Sequence, residues 1–199
     1  GWDVVNEAFN DDGTLRPSPW ARAIGPDFIQ LAFRFAHEAD PNAELYYNDY
    51  SMDKPGKRKA VVALIRQLRD AGLRIDAIGM QSHNGMNYPD IHEYEQTIQA
   101  IIATGVKVQF TELDFNVLPM PWNVQGADVN QRGENSSKMN PYPNKLPADV
   151  QKQQADRIMD FFRLYKKYES HIRRVTLWGV TDGDSWLNGW PIPGRTNYP

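Results

Sequence analysis

Two glutamates end apolar stretches at widely separated points of the sequence. Glu7 ends WDVVNE, whose Trp2, Val4 and Val5 are typical of a buried strand, and Glu112 ends VQFTE. A carboxyl group with apolar neighbours has a raised pKa, so it can hold a proton near neutral pH and donate it to a leaving group. A lone glutamate at a strand end is more often a surface or ion-paired group. Two of them facing each other across a cleft, however, are typical of glycoside hydrolysis.

Polar residues also end the other strands that the sequence predicts. Strands are predicted around residues 2–7, 43–49, 76–83, 106–114 and 174–182. The residues at their ends are Asn6, Glu7, Asn48, Asp49, Gln81, His83, Glu112, Asp114, Trp178 and Asp182. Because the carboxyl ends of parallel strands lie at the same end of a barrel, we expect these side chains to form one site.

Helical patterns connect the strands and define the fold class. Apolar residues recur at helical spacing in segments 28–35, 61–68, 94–102 and 158–165. Gly72 and Gly105 follow two of these segments and are predicted to close the helices in the left-handed conformation. Such α/β alternation predicts parallel strands, in a doubly wound sheet or a (β/α)₈ TIM barrel. Candidate chemistry at every strand end favours the barrel, and no Gly-x-Gly-x-x-Gly motif supports the alternative.

Composition limits the possible partners. The 199 residues correspond to one domain or part of one, and the net charge of −3 comes without a run of Lys or Arg. Neither nucleic acid nor an anionic membrane is therefore a predicted partner. The absence of cysteine excludes disulfides and thiolate metal sites. No apolar run approaches the roughly 20 residues of a membrane-spanning helix.

A long proline-rich segment interrupts the pattern at residues 116–149. It contains LPMPW and NPYPNKLP and has no helical period, so it is predicted to be a loop. A connection of this length is usually either a functional loop over a site or a disordered insertion. The aromatic residues Trp122 and Tyr142 favour the functional loop.

His83 and Asp114 are candidates for supporting Glu112. His83 can hydrogen-bond the glutamate through one ring nitrogen while Asp114 holds the other, which fixes the orientation of the imidazole. The alternative is a core histidine without a catalytic role. A zinc or manganese site is also conceivable at strand ends, but the sequence has neither H-x-H nor H-E-x-x-H. We therefore predict no metal and no cofactor.

Tryptophans are concentrated in LWGVTDGDSWLNGW, which contains Trp178 and Trp186. This segment is too polar and too rich in glycine for a simple core element. Indole rings stack on the apolar face of a sugar, whose hydroxyls hydrogen-bond to amides and carboxylates. The alternative is that these rings only close the mouth of a barrel.

The assembled motifs resemble glycoside hydrolase family 10, the endo-β-1,4-xylanases. WDVVNEAF, YYNDY, IGMQSH, VQFTELD and LWGVTDGDSWL are similar, in this order, to strands four to eight of that family. The resemblance covers the whole chain except the 116–149 loop. It implies retaining hydrolysis of internal β-1,4 bonds in xylan through a covalent glycosyl-enzyme. Glu7 would be the acid/base and Glu112 the nucleophile.

The resemblance implies further roles. Asn6 would hydrogen-bond the 2-hydroxyl of the sugar, and Gln81 would reach the glycone. His83, backed by Asp114, would contact the nucleophile. The remaining implied substrate contacts are Trp178 and Trp186 at the cleavage subsite, and Asn48 and Tyr50 on the leaving-group side.

A complete barrel needs eight strands, and only five are predicted here. We expect the others from an upstream segment or a second chain, with or without an inserted carbohydrate-binding domain. The chain alone should be inactive or poorly folded, because open strand edges invite aggregation. The alternatives are a noncatalytic carbohydrate-binding barrel and a related β-1,4-glucanase. Since polymeric xylan cannot enter a cell intact, we expect an exported protein, extracellular, periplasmic or on the cell surface.

Overall fold

Parallel strands and helices alternate along the chain. The computed structural model describes residues 1–121, 124, 129–134 and 136–199. The strands are β1 (Trp2–Asn6), β2 (Leu45–Asp49), β3 (Ala77–Met80), β4 (His83–Gly85), β5 (Lys107–Asn116) and β6 (Ile172–Leu177). The α-helices are α1 (Pro19–Ile24), α2 (Phe28–Ala39), α3 (Pro55–Asp70), α4 (Ile91–Ile102) and α5 (Ala148–Lys167). None of these helices is both long and apolar enough to cross a membrane.

All strand pairs are parallel and belong to one sheet. The order is β1-β2-β3-β5, and both β6 and the short β4 pair with β5. Of the described residues, those in β1 and β6 are hydrogen-bonded to a neighbouring strand on one side only. Trp2 and Leu177, in these two strands, are 57% and 67% exposed. The sheet is therefore open, with two edges that can accept further strands.

The predicted last strand is too long. It was expected to cover residues 174–182, but β6 ends at Leu177 and Asp182 begins a short 3₁₀ helix. Thr181 and Asp184 form a capping box, in which each side chain bonds the backbone N–H of the other residue. This local capping starts a helical turn where the apolar pattern suggested a strand. Asp182 is exposed and is not part of the site, so that expectation was wrong.

Helix ends follow local rules. Asp90 caps α4 by accepting hydrogen bonds from His92 N at 2.9 Å and from Glu93 N at 3.0 Å. Gly72 and Gly105, after α3 and α4, have φ values of 71° and 80°. Their predicted left-handed conformation is therefore confirmed.

Helices α2 to α5 bury one face against the sheet, in a single core cluster. In α3 the buried face is the predicted one, with Val61, Leu64, Ile65 and Leu68. Each such side chain contributes about 1.5–3 kcal/mol through burial. In α2 and α5 the face is offset, because Phe35 and Phe162 are 55% and 43% exposed. Both helices have apolar residues on more than one face, so spacing alone could not identify the buried side.

Residues 117–147 separate β5 from α5, and those of them that the structure describes form neither helix nor strand. We call them the long loop. Trp122, on which part of the loop prediction depended, lies outside the described residues. Arg195 holds the loop by donating to Pro119 O at 3.0 Å and to Met139 O at 3.4 Å. The loop is thus attached to the end of the chain that follows the tryptophan-rich segment.

Candidate active site

Backbone hydrogen bonds between neighbouring strands fix the two glutamates, Glu7 directly after β1 and Glu112 within β5. Glu7 N donates to Asn48 O, and Glu112 N donates to Gln81 O, each at 2.9 Å. Gln81 N in turn donates to Asp49 O at 2.9 Å. Four neighbouring strands therefore position these residues in one plane of the sheet, which is why a sequence separation of about 100 residues does not keep the glutamates apart.

Unusual backbone conformations occur within two residues of the ends of three strands. Glu7, Ser51 and Ser82 have φ values of 57°, 49° and 68°. The left-handed region is uncommon for residues with a Cβ and is found most often where the surrounding structure enforces it, as at functional sites. Glu7 is therefore held in a conformation that its neighbours must maintain.

A bulge accompanies Glu112. Phe110 pairs with Val175 and Leu113 with Leu177, so β5 advances three residues where β6 advances two. Phe110 stacks on Tyr165 in the core, with ring centroids 3.9 Å apart. A bulge redirects side chains near the end of a strand. Here it allows the residues around Phe110 to serve the core while Glu112 faces the cavity.

A chain of side-chain amides links the two glutamates. Gln81 Nε2 donates to Glu7 Oε1 at 2.9 Å and to Asn6 Oδ1 at 3.3 Å. Asn48 Nδ2 donates to Asn6 Oδ1 at 3.0 Å and to Glu112 Oε1 at 3.1 Å. The carboxyl groups thus belong to one hydrogen-bonded network, and each has a defined orientation.

His83 lies between two carboxylates. Its Nε2 is 3.1 Å from Glu112 Oε2, and its Nδ1 is 3.1 Å from Asp114 Oδ2, which also accepts from Trp186 Nε1 at 2.8 Å. Burial acts to lower the pKa of His83, but the hydrogen bonds and charges of Asp114 and Glu112 outweigh burial and raise the pKa to about 9. At neutral pH the ring is therefore a cation that donates to both carboxylates.

The raised pKa of His83 predicts a pH-dependent stability. A histidine in the unfolded chain has a pKa of about 6.5, so the stabilisation is complete below about pH 6.5 and is lost as the pH rises through about 9. The shift corresponds to roughly 3 kcal/mol. Denaturant titrations of the full-length protein between pH 6 and 10 should show this decline, and the His83→Gln variant should lack it. Parallel stability curves for the two proteins would contradict the prediction.

Arg16 is a partner of Glu7 that the sequence did not reveal. Its Nη1 donates to Glu7 Oε2 at 2.9 Å and to Glu7 O at 3.2 Å. Both oxygens of Glu7 therefore accept hydrogen bonds, one from Gln81 and one from Arg16. Arg16 lies in a polar segment nine residues further along, where no period or motif distinguishes it from a surface arginine.

Both glutamates line one cavity of about 850 Å³. Its aromatic lining is formed by Tyr50, Tyr88, Tyr94, Trp178, Trp186 and Trp190. Trp186 and Trp190 are stacked, with centroids 5.3 Å apart and planes inclined by 24°. The described part of the long loop contributes Met120, Val129, Asn130 and Arg132. A cavity with aromatic walls and two carboxyl groups is suited to a carbohydrate chain.

Not every predicted site residue reaches the cavity. Gln81, His83, Tyr50, Trp178 and Trp186 line it together with the glutamates. Asn48 and Asp114 do not; they are 3% and 4% exposed and bond to groups that do. Asn6 is exposed on the edge strand β1. Asn48 was expected to contact the leaving-group side, but its buried position instead favours orienting Glu112.

The described part of the chain contains no cluster of side chains that could bind a metal ion. No group of three or more His, Asp or Glu side chains is arranged there to hold an ion. The carboxylates near His83 are instead engaged by hydrogen-bond donors, namely the imidazole, Asn48 and Trp186.

Comparisons with known proteins agree on one family. The model of glycosyl hydrolase family 10 matches residues 1–199. Endo-1,4-beta-xylanase A of Xylanibacter ruminicola is 60% identical over 198 residues, which cover 100% of this chain and 54% of that protein. Endo-1,4-beta-xylanase of Geobacillus stearothermophilus is 39% identical and is matched over 56% of its length. The chain thus spans about half the length of the curated relatives it matches.

Solved structures give the same result. An endoxylanase of this family from a sugarcane soil metagenome superposes with a TM-score of 0.94 at 46% identity, covering 100% of this chain and 57% of that one. An intracellular xylanase from Thermoanaerobacterium saccharolyticum, solved as a mutant with xylotriose, superposes with a TM-score of 0.78 at 34% identity. That match covers 99% of this chain and 52% of the xylanase.

Proposed function

The chain belongs to glycosyl hydrolase family 10, and on this premise we propose that the protein containing it hydrolyses internal β-1,4 bonds of xylan with retention of configuration. The family and the partial (β/α)₈ barrel, of which this chain supplies about strands four to eight, are as predicted. One observation carries the proposal: Glu7 and Glu112 line the same cavity and are joined through Gln81, Asn6 and Asn48.

In the first step, Glu112 acts as the nucleophile and Glu7 as the acid. A carboxylate oxygen of Glu112 forms a bond to the anomeric carbon while the bond from that carbon to the glycosidic oxygen breaks. Glu7 transfers its proton to the departing oxygen, which leaves as a hydroxyl of the shortened chain. The products are a glycosyl ester on Glu112 and an ionised Glu7.

In the second step, water replaces the ester. Glu7 accepts a proton from a water molecule whose oxygen attacks the anomeric carbon, and the ester bond to Glu112 breaks. Glu112 is restored as a carboxylate and Glu7 as the acid. Two inversions at one carbon give net retention.

The surrounding side chains provide orientation. His83 and Asn48 donate to the two oxygens of Glu112, which restricts its rotation and balances its charge. Asn6 accepts through its side-chain oxygen from Asn48 and Gln81, so its NH₂ group is the donor for a sugar hydroxyl. We assign Trp178 and Trp186 to the sugar that is cleaved and Tyr50 to the leaving-group side, since all three line the cavity.

A substrate comparison tests the proposal against its alternatives. We expect the full-length protein to release reducing sugar from xylan, and much less from carboxymethyl cellulose or mixed-linkage glucan. A β-1,4-glucanase would reverse this preference. A noncatalytic binding barrel would retain the polysaccharide in affinity electrophoresis without releasing sugar. Either result would overturn the proposal.

We also propose where the remaining strands of the barrel come from and where the protein acts. The two open sheet edges fit an upstream segment or a second chain that supplies the remaining strands, and we propose that only the completed barrel is active. We further propose that it acts outside the cytoplasm, because polymeric xylan cannot enter intact. Cell fractionation tests the location, and comparison of residues 1–199 with the full-length protein tests the need for the other strands.

A further inference from the structure

Three fully buried polar residues, in β2 and α3, lie next to the cavity, whose lining includes one of them, Asp49. Tyr47, Asp49 and Lys57 are each 0% exposed. We propose that this buried triad (Tyr47, Asp49 and Lys57) positions Glu7 for proton transfer to the leaving group. The inference depends on the proposed function, because it assumes that Glu7 is the acid/base.

Lys57 forms the centre of the triad. Its Nζ donates to Asp49 Oδ1 at 2.9 Å and to Tyr50 O at 3.0 Å, and it is 3.3 Å from Asp11 Oδ1. It also lies 3.7 Å from the centroid of the Tyr50 ring. Burying an ion pair costs desolvation energy that often equals its attraction, so such a pair is weak evidence for a stabilising role. The contacts of Lys57 indicate instead that it positions Tyr50 and the loop after Glu7.

Tyr47 connects the triad to the acid/base. Its hydroxyl donates to Asp49 Oδ2 and accepts from Ala8 N at 3.1 Å. Ala8 directly follows Glu7, whose own N–H donates to Asn48 O at 2.9 Å. The peptide groups on both sides of Glu7 are thus held by strand β2. This restraint acts at the residue with a φ of 57°, a conformation that does not persist without support.

A second contact joins the triad to the loop that follows Glu7. Lys57 N donates to Asp11 O at 3.2 Å. A Cβ atom at Gly56 would lie 2.6 Å from the carbonyl carbon of Asp12, so only glycine allows the start of α3 to approach this closely. The same loop continues to Arg16, which holds Glu7 Oε2. The triad therefore fixes the backbone of Glu7 directly and its carboxyl group through the loop.

Mispositioning of an acid has a specific kinetic signature. A displacement of about 1 Å at a reacting group can cost about 100-fold in rate. A leaving group such as 2,4-dinitrophenolate departs without protonation, whereas phenolate or a sugar needs the acid. A displaced Glu7 should thus slow cleavage of poor leaving groups and spare good ones. A general loss of folded protein would instead lower the cleavage rates of poor and good leaving groups equally.

The experiment compares two substrates in the full-length protein. We expect Tyr47→Phe to lower kcat/KM for phenyl β-xylobioside about 10- to 100-fold and to change it less than about 3-fold for the 2,4-dinitrophenyl β-xylobioside. Lys57→Met should give the same pattern. Tyr46→Phe is the matched control for the hydroxyl, since Tyr46 is in the same strand and bonds to Glu44. Lys59→Met, exposed in α3, is the control for the charge.

The results for Tyr47→Phe and Glu7→Gln together distinguish the role of the triad from the role of Glu7. If Tyr47→Phe lowers kcat/KM equally for both substrates, or for neither, the inference is overturned. Tyr47→Phe keeps the Lys57–Asp49 ion pair, so it can be measured even if Lys57→Met does not fold. The Glu7→Gln variant is assayed with the same two substrates. If Glu7→Gln lacks the leaving-group pattern in an active protein, the acid/base assignment itself is wrong. If Glu7→Gln shows the pattern and Tyr47→Phe does not, only the role of the triad is wrong.

Discussion

Glu112→Ala is expected to lower kcat for xylan in the full-length protein on the order of 10⁴-fold or more. Without the carboxylate of Glu112 the proposed ester at the anomeric carbon cannot form. Asn48 and His83 would lose their acceptor on Glu112 but remain bonded to Asn6 and Asp114. The fold should therefore survive, and the loss should be one of chemistry.

Reducing-sugar release and thermal unfolding measured on the same samples check this prediction. Glu38→Ala is a matched control, because Glu38 is an exposed glutamate on α2, 3.9 Å from Arg34. Surface substitutions of this kind usually change stability by less than about 0.5 kcal/mol. Substantial hydrolysis by Glu112→Ala, with Glu38→Ala unchanged, would show that Glu112 is not the nucleophile.

Glu7→Ala is expected to have the second-largest effect, with a selective pattern. Loss of the acid should lower activity on xylan about 10²- to 10⁴-fold. A dinitrophenyl xylobioside should still form the glycosyl-enzyme, whose hydrolysis is then slow because no base activates water. Azide needs no base, so adding it should restore turnover and give β-xylobiosyl azide, the product of two inversions.

Nuclear magnetic resonance of the products and turnover with and without azide check this prediction. The same additions to the Glu112→Ala variant provide the comparison, since azide attacking the intact substrate there would give the α-anomer instead. A Glu7→Ala protein that azide does not accelerate, or that cleaves xylan at the normal rate, would contradict the acid/base role.

The proximity of the two glutamates could be predicted from the sequence, because in a parallel sheet it depends on where each glutamate lies along its strand. Glu7 and Glu112 each follow an apolar run, and the carboxyl-terminal parts of parallel strands lie near one edge of the sheet whatever their separation in the sequence. His83 and Asp114 could be placed for the same reason. Backbone bonds at strand ends, such as Glu112 N to Gln81 O, then determine the spacing.

Some features escaped prediction because they depend on contacts between distant segments. Arg16 reaches Glu7 through a loop packed on Gly56. The burial of Lys57, in the first turn of α3, depends on its contacts with Asp49 and Asp11, which belong to other segments. The strand predicted over residues 174–182 failed because the Thr181 and Asp184 cap competes with extension. Asn48 lies at the predicted strand end; its burial is not reported by any local pattern, and its contact with the leaving-group side stays a prediction.

The most direct test of the central claim is to trap the glycosyl-enzyme. The full-length protein is incubated with dinitrophenyl 2-deoxy-2-fluoro-β-xylobioside, digested, and the labelled peptide is identified by mass spectrometry. If Glu7 and Glu112 act as proposed, one fluoroxylobiosyl group will be found, attached to Glu112. A label on any other residue, or an active enzyme that forms no adduct and releases the α-anomer of the sugar, would contradict it.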